Sequence, residues 1–109
     1  MPRIDRRAHQ RFLAKPEDRV LYDERSVPVR DVSLGGIFIL DPDPLPVGSE
    51  VAFTLRIGRL NLDLDGIVRH STDQIGMGIQ FTNVSALPMR RLTIHIASLL
   101  SAPSEMETA

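Results

Sequence analysis

From Val51 to Phe81 the apolar residues recur at every second position, in short runs cut by glycine and polar pairs, a period that a strand satisfies and a helix does not. Val51, Phe53, Leu55 and Ile57 alternate with Ala52, Thr54 and Arg56. Leu60, Leu62 and Leu64 alternate with Asn61, Asp63 and Asp65, and Gly58-Arg59 separates the two runs, which predicts a hairpin with one wet face. Upstream, Val20-Leu21-Tyr22 and Val27, Val29 and Val32 flank the polar turn Asp23-Glu24-Arg25-Ser26, an earlier hairpin. Ile37-Phe38-Ile39-Leu40 lies between Gly35-Gly36 and the breaker Asp41-Pro42-Asp43-Pro44 and predicts a strand buried on both faces. Gly66 interrupts a strand run and marks an expected bulge or barrel corner. In the last run Ile75, Met77, Ile79 and Phe81 alternate with Gly76, Gly78 and Gln80, so one face is nearly bare and open to close approach by another backbone.

After Asn83 the period changes. Met89, Leu92, Ile96, Leu99 and Leu100 recur at helical spacing, Ser85 suits an N-cap, and Pro88 is tolerable in a first turn. Ile94 falls off this stripe and is expected at the surface, where a partner could bind. About six short strands followed by one amphipathic helix make a mostly β chain, a six-stranded antiparallel β-barrel whose C-terminal α-helix covers one opening. The length of 109 residues suits one domain, and 5% aromatic content without Trp predicts an aliphatic core. Residues 12–100 are assigned to that domain. Residues 1–11, with Arg3, Arg6, Arg7 and Arg11, are expected to form a flexible basic arm, and residues 101–109 a disordered tail.

Thirteen Lys plus Arg against fourteen Asp plus Glu give a net charge of −1, so no global field draws the chain to a nucleic-acid polymer or a membrane surface. An anion site must therefore be local. Lys15 is the single lysine among those cations, and arginine is the better residue for bidentate recognition of phosphate or a base edge. The absence of cysteine, of a long apolar span and of a signal-like N-terminus predicts a cytoplasmic protein without a membrane anchor.

Two polar segments are not explained by folding alone: Arg6-Arg7-Ala8-His9-Gln10-Arg11 and Asp31-Val32-Ser33-Leu34-Gly35-Gly36. Together they resemble the PilZ family, whose signature is Arg-x-x-x-Arg followed some way on by Asp/Asn-x-Ser-x-x-Gly. Arg7 and Arg11 match the first element, and Asp31, Ser33 and Gly36 the second. The segments Leu45–Val51 and Gly76–Phe81 also look like the loop and final strand of that family, so the resemblance covers residues 6–100.

The resemblance implies a non-catalytic receptor for the bacterial second messenger cyclic di-GMP, with an unidentified effector protein as partner and no cofactor. The residue types suit such a ligand. Arg7 and Arg11 supply cations for phosphate and forks for guanine, Asp31 an acceptor for guanine N–H groups, and Ser33 a bridge to base or phosphate. Gly36, with Gly35 beside it, would let backbone approach the ligand without a Cβ in the way. An arginine at position 6 implies, by the same resemblance, an intercalated pair of cyclic di-GMP molecules on each protomer. The expected oligomeric state is a monomer or weak dimer.

Plainer readings stand beside these. The arginines alone would read as a solvated basic tail, and Asp31-Val32-Ser33 as turn chemistry. The alternative function is a PilZ-fold protein–protein interaction module that binds no nucleotide. His9, His70 and His95 have no metal-ligand spacing. His70-Ser71-Thr72-Asp73 reads as a hairpin loop, since consecutive residues cannot form a hydrolytic triad, and Asp63 and Asp65 read as a solvent face.

Overall fold

The computed structural model describes residues 10–83 and 87–101. Its connections are short enough to force neighbouring strands together. Asp23 and Glu24 both take left-handed φ, 48° and 61°, which turns the chain back in two residues. Tyr22 therefore pairs with Arg25, joining β2 (Arg19–Tyr22) to β3 (Arg25–Val32). The expected four-residue turn is thus shorter, because Arg25 and Ser26 already belong to the strand. Gly58-Arg59 makes the second two-residue turn, with Gly58 at φ 57°, between β5 (Glu50–Ile57) and β6 (Leu60–Thr72).

Strand β6 runs for 13 residues, long enough to pair with β5 in its first half and with β7 (Gly76–Thr82) in its second. Strand β4 (Gly36–Leu40) lies beside β7 and also pairs with β3, which closes a ring of six antiparallel strands in the order β2-β5-β6-β7-β4-β3. The two-residue strand β1 (Phe12–Leu13) adds to β3 beyond the end of β2. Inside the ring, Val20, Ile37, Ile39, Leu55, Leu62, Val68 and Met77 are fully buried; Phe53 and Phe81 pack with ring centroids 6.3 Å apart. The interior is aliphatic as expected. Helix α1 (Leu87–Ser101) lies against β6 and sends Met89, Leu92 and Ile96 into the same core. Pro88 falls in its first turn, and the proposed cap Ser85 lies outside the described residues.

Four local expectations are revised. His70–Thr72 belong to β6, and the β6–β7 turn is Asp73-Gln74-Ile75. Ile75, counted in the last strand, is therefore in that turn and 53% exposed. Strand β4 is buried on one face only, for Phe38 is half-exposed and Leu40 exposed. Gly66 interrupts nothing: it sits where β6 is flanked by both neighbours, opposite Val51 and Phe81, and an added Cβ would lie 2.3 Å from Ile79 Cγ2. The irregularities occur elsewhere, between Val68 and His70 in β6 and between Val29 and Asp31 in β3.

The bare face of β7 does admit a backbone. A Cβ on Gly76 would stand 2.1 Å from the Ile39 carbonyl oxygen, so β4 and β7 can meet there only over a glycine. At Gly78 the same atom would find ordinary contact, with His70 Cδ2 at 3.4 Å and Phe38 Cδ2 at 3.6 Å.

Behind β4, Asp41 is wholly buried yet fully bonded. Its carboxylate accepts hydrogen bonds from the Tyr22 hydroxyl, from Arg25 and from the Asp43 N–H at 2.8 Å, which ties the β4–β5 loop to the first hairpin. Burial opposes the charge on Asp41, but the bonds from Tyr22, Asp43 and Arg25 outweigh it and hold the carboxyl below its usual range. Burial, then the bond to Asp41, pushes the Tyr22 phenol well above its ordinary value.

Two expected outcomes follow from these contacts. Gly76→Ala should lower the unfolding free energy by roughly 1–3 kcal/mol or more in a urea titration, while Gly78→Ala stays near wild type. The contribution of Asp41 is complete above its ordinary 3.8 and lost as pH falls below it; that of Tyr22 is complete below its ordinary 10.0 and lost as pH rises above it. Stability measured across pH should thus fall on both sides of a plateau, with Asp41→Asn softening the acid fall and Tyr22→Phe the alkaline one.

Candidate functional site

The two irregularities in the ring each add one residue to a strand, and those residues are Arg30 and Arg69. A bulge resets which face the following side chains occupy. Along β3, Val27 and Val29 point inward, Arg30 is exposed, and the inward phase resumes at Val32 instead of Asp31. Asp31 is thereby delivered to the outer wall, beside Arg30. Along β6, Val68 points inward, Arg69 and His70 are both exposed, and Ser71 is partly covered.

Both bulges open onto one cleft of about 450 Å³ on the outer wall of β3, β4, β6 and β7, within the size range of small-molecule sites. Its walls include Arg11, Arg30, Ser33, Gly35, Gly36 and Phe38 on one side and Arg69, His70, Gly78 and Gln80 on the other. Gly78 pairs with Phe38 on one neighbour and His70 on the other, so two rings flank a bare backbone position and leave a slot between them. The Arg30 guanidinium lies over the Phe38 ring, 3.9 Å from its centroid. Arg69 is oriented by a hydrogen bond from its Nε to Gln80 Oε1 at 2.7 Å.

Behind one wall stands the buried Asp31 carboxylate, which holds two of the lining arginines. One oxygen accepts from Arg11 Nε and the other from Arg30 Nε at 2.7 Å. Burial works against its charge, but the hydrogen bonds from Arg30 and from Arg11 outweigh it and hold the carboxyl below the ordinary carboxylate value. Two guanidinium groups on one carboxylate leave a net positive charge, to which Arg69 adds across the cleft. In a chain of net charge −1 this is a local cationic site.

Ser33 has a different task. Its hydroxyl oxygen accepts from the Gly35 and Gly36 N–H groups, both at 3.2 Å, and from Arg11 Nη1 at 3.3 Å, while its own N–H donates to the Gly36 carbonyl at 2.8 Å. That is turn chemistry, and it shapes the β3–β4 loop as one wall of the cleft. Gly36 is also committed to the sheet. A Cβ there would lie 2.4 Å from the Ile79 carbonyl oxygen, so the bare Cα serves strand packing.

Of the residues singled out in the sequence, Arg11, Ser33, Gly35 and Gly36 line this cleft, and the buried Asp31 adjoins it through its bonds to Arg11 and Arg30. Arg6 and Arg7 lie outside the described residues. Arg30, Phe38 and Arg69 are not among those singled out, and His70 reads in the sequence only as part of a loop, because nothing in a strand's alternation announces a bulge. Their one signal is the adjacent polar pairs Arg30-Asp31 and Arg69-His70, where an apolar residue was due.

Comparison with known proteins bears on this geometry. A family model described as "PilZ domain" matches residues 5–98. The fold is similar to the crystal structure of an uncharacterized protein from Legionella, with a TM-score of 0.69 and 17% sequence identity over 87% of this chain and 98% of that one. No curated protein matches the sequence at a significant level.

The bonding pattern separates the two members of the central ion pair. Asp31→Ala leaves two arginines without their acceptor and is expected to cost about 1–3 kcal/mol of stability. Arg11→Ala, which leaves the Arg30–Asp31 bond intact at a surface position, should stay within about 1 kcal/mol of wild type in the same denaturant titration.

Proposed function

This chain belongs to the PilZ domain family, a family of cyclic di-GMP receptors, and on that premise we propose that its cleft binds cyclic di-GMP and reports the binding to an effector protein. The observation that carries the reading is the convergence of three arginines and two ring walls on a single concave surface, with the buried Asp31 carboxylate holding two of the arginines from behind.

Each ligand group has a matching partner. The phosphodiesters are anions for Arg11, Arg30 and Arg69. The guanine O6/N7 edge accepts a bidentate guanidinium fork, and its N–H groups suit the Asp31 oxygen that Arg11 gives up when a phosphate recruits its guanidinium. A base face can stack on Phe38 or His70 on either side of the Gly78 slot. Arg7 and Arg6 stand four and five residues before Arg11 in the chain, a reach of at most roughly 14 and 17 Å. Both can therefore come to a ligand held against this wall, and Arg6 would supply the extra cation needed for a stacked pair of ligands.

The signal follows from competition. Arg11 is bonded to Asp31 and Ser33 in the ligand-free wall. A phosphate that recruits its guanidinium loosens that lock, and Arg11 moves relative to β1 with it. The ligand thus favours a second arrangement of Arg11, and a partner that distinguishes the two reads the signal. No covalent step is invoked, and the protein acts as a receptor without enzymatic activity.

Isothermal titration with cyclic di-GMP tests the proposal. Binding of two ligands per protomer is expected, with Arg7→Ala and Arg11→Ala each weakening affinity about tenfold or more, the loss of one charge-assisted hydrogen bond. Arg6→Ala should reduce the stoichiometry to one. A flat titration of the intact chain would instead leave the nucleotide-free interaction module as the reading.

A further inference from the structure

Helix α1 has two unlike apolar faces. Met89, Leu92 and Ile96 are buried, whereas Leu87 and Ile94, two turns apart on the opposite side, are 65% and 70% exposed with Arg91 between them. Single exposed aliphatics are ordinary, but Ile94 lines a groove. The β5–β6 turn comes up against the helix at Gly58, where an added Cβ would stand 3.2 Å from the His95 ring. Beside that contact Arg59, Leu60, Arg91, Ile94 and His95 line an open groove of about 560 Å³.

The charge of this groove is as distinctive as its apolar lining. None of the ion pairs among the described residues uses Arg59 or Arg91. Helix α1 carries Arg90 and Arg91 and no acidic residue. No carboxylate is among the residues that line the groove, and Asp18, which accepts from the Gly58 N–H at the turn, is buried and also bonded to the Lys15 N–H. A chain of net charge −1 therefore presents an aliphatic floor between two arginines that form no ion pair among the described residues. Arginine beside exposed aliphatics is the composition of a protein–protein contact, and with no aromatic side chain except the His95 ring the groove offers little to stacked bases.

We propose that the groove between the β5–β6 turn and α1 docks an acidic effector segment, which sets a large aliphatic side chain against Leu60 and Ile94 and carboxylates against Arg59 and Arg91. The inference rests on the receptor reading in one respect, that an effector exists. The structure also supplies a connection between the two sites. Gly58 and His95, which line the groove, also line a small cavity of about 70 Å³ under Phe12 and Leu13, the residues that follow Arg11. β1 thus joins the Arg11–Asp31 lock to a groove wall by direct adjacency.

The test uses the whole chain and two synthetic peptides, one with a leucine pair flanked by glutamates and one with lysines in place of the glutamates, titrated while backbone NMR shifts are followed. The acidic peptide is expected to move the signals of Arg59, Leu60, Ile94 and His95, and the basic peptide to leave them in place. The double variant Arg59→Glu with Arg91→Glu should invert the preference by about tenfold, and Ile94→Asp should abolish binding. All these positions are half-buried or exposed, so the variants should fold; cyclic di-GMP titrations on them should match wild type. If the peptides bind equally, or neither moves these signals, the proposal is overturned. It is equally overturned if the chain sediments as a dimer that Ile94→Asp dissolves, for then a second copy fills the groove. Loss of cyclic di-GMP binding with peptide binding retained would reject the receptor reading and leave the docking surface standing.

Discussion

Closing six antiparallel strands into a ring gives each of the six a neighbour on both sides but demands curvature, and the chain takes up part of it as single extra residues in β3 and β6. Both extra residues are arginines, and both open onto the same outer wall. Without the bulge at Arg30, strict alternation would turn the Asp31 carboxylate toward Val20 and Ile39 in the apolar interior. Without the one at Arg69, His70 would point inward as well. Barrel geometry and the cationic cleft are therefore one structural fact: the places where the sheet yields are the places where it presents charge.

The two most buried ionic clusters show how differently one residue type is used. Asp41 has no exposed surface and is bonded to a phenol, a guanidinium and a backbone N–H, so it holds a loop to a hairpin. Asp31 is bonded only by guanidinium groups, and the side chains of those two arginines are about half exposed. Exposed partners can leave. A carboxylate whose partners can leave is suited to exchange with a ligand, and one enclosed like Asp41 is suited to architecture. The glycines divide in the same way. Gly36 and Gly76 are required by carbonyl oxygens on the neighbouring strand, whereas Gly78 is bare over a slot between two rings.

The chain's two surface features lie at separate places, the cleft on the barrel wall and the groove beside α1. The segment between Arg11 and Lys15 runs from one to the other: Arg11 belongs to the cleft, Phe12 and Leu13 pair with β3, and Phe12 through Lys15 line the cavity that shares Gly58 and His95 with the groove. A strand of two residues holds by few bonds, so this is the part of the sheet that yields at least cost.

Much of this was legible from residue order alone. The alternation through Val51–Ile57 and Leu60–Leu64 specified a hairpin with Asp63 and Asp65 outward, and the helical spacing of Met89, Leu92 and Ile96 specified a helix with Ile94 left outside, because side-chain direction follows backbone period. The paired signature likewise groups Arg11, Asp31, Ser33 and Gly36, with Gly35 beside it. Sequence could not divide the labour among them. That Ser33 is spent on turn amides and Gly36 on a strand contact depends on atoms contributed by the loop and by β7. Nor could it find Arg30, Phe38, Arg69 and His70, for a bulge is set by the register of neighbouring strands, and register is decided only when the ring closes.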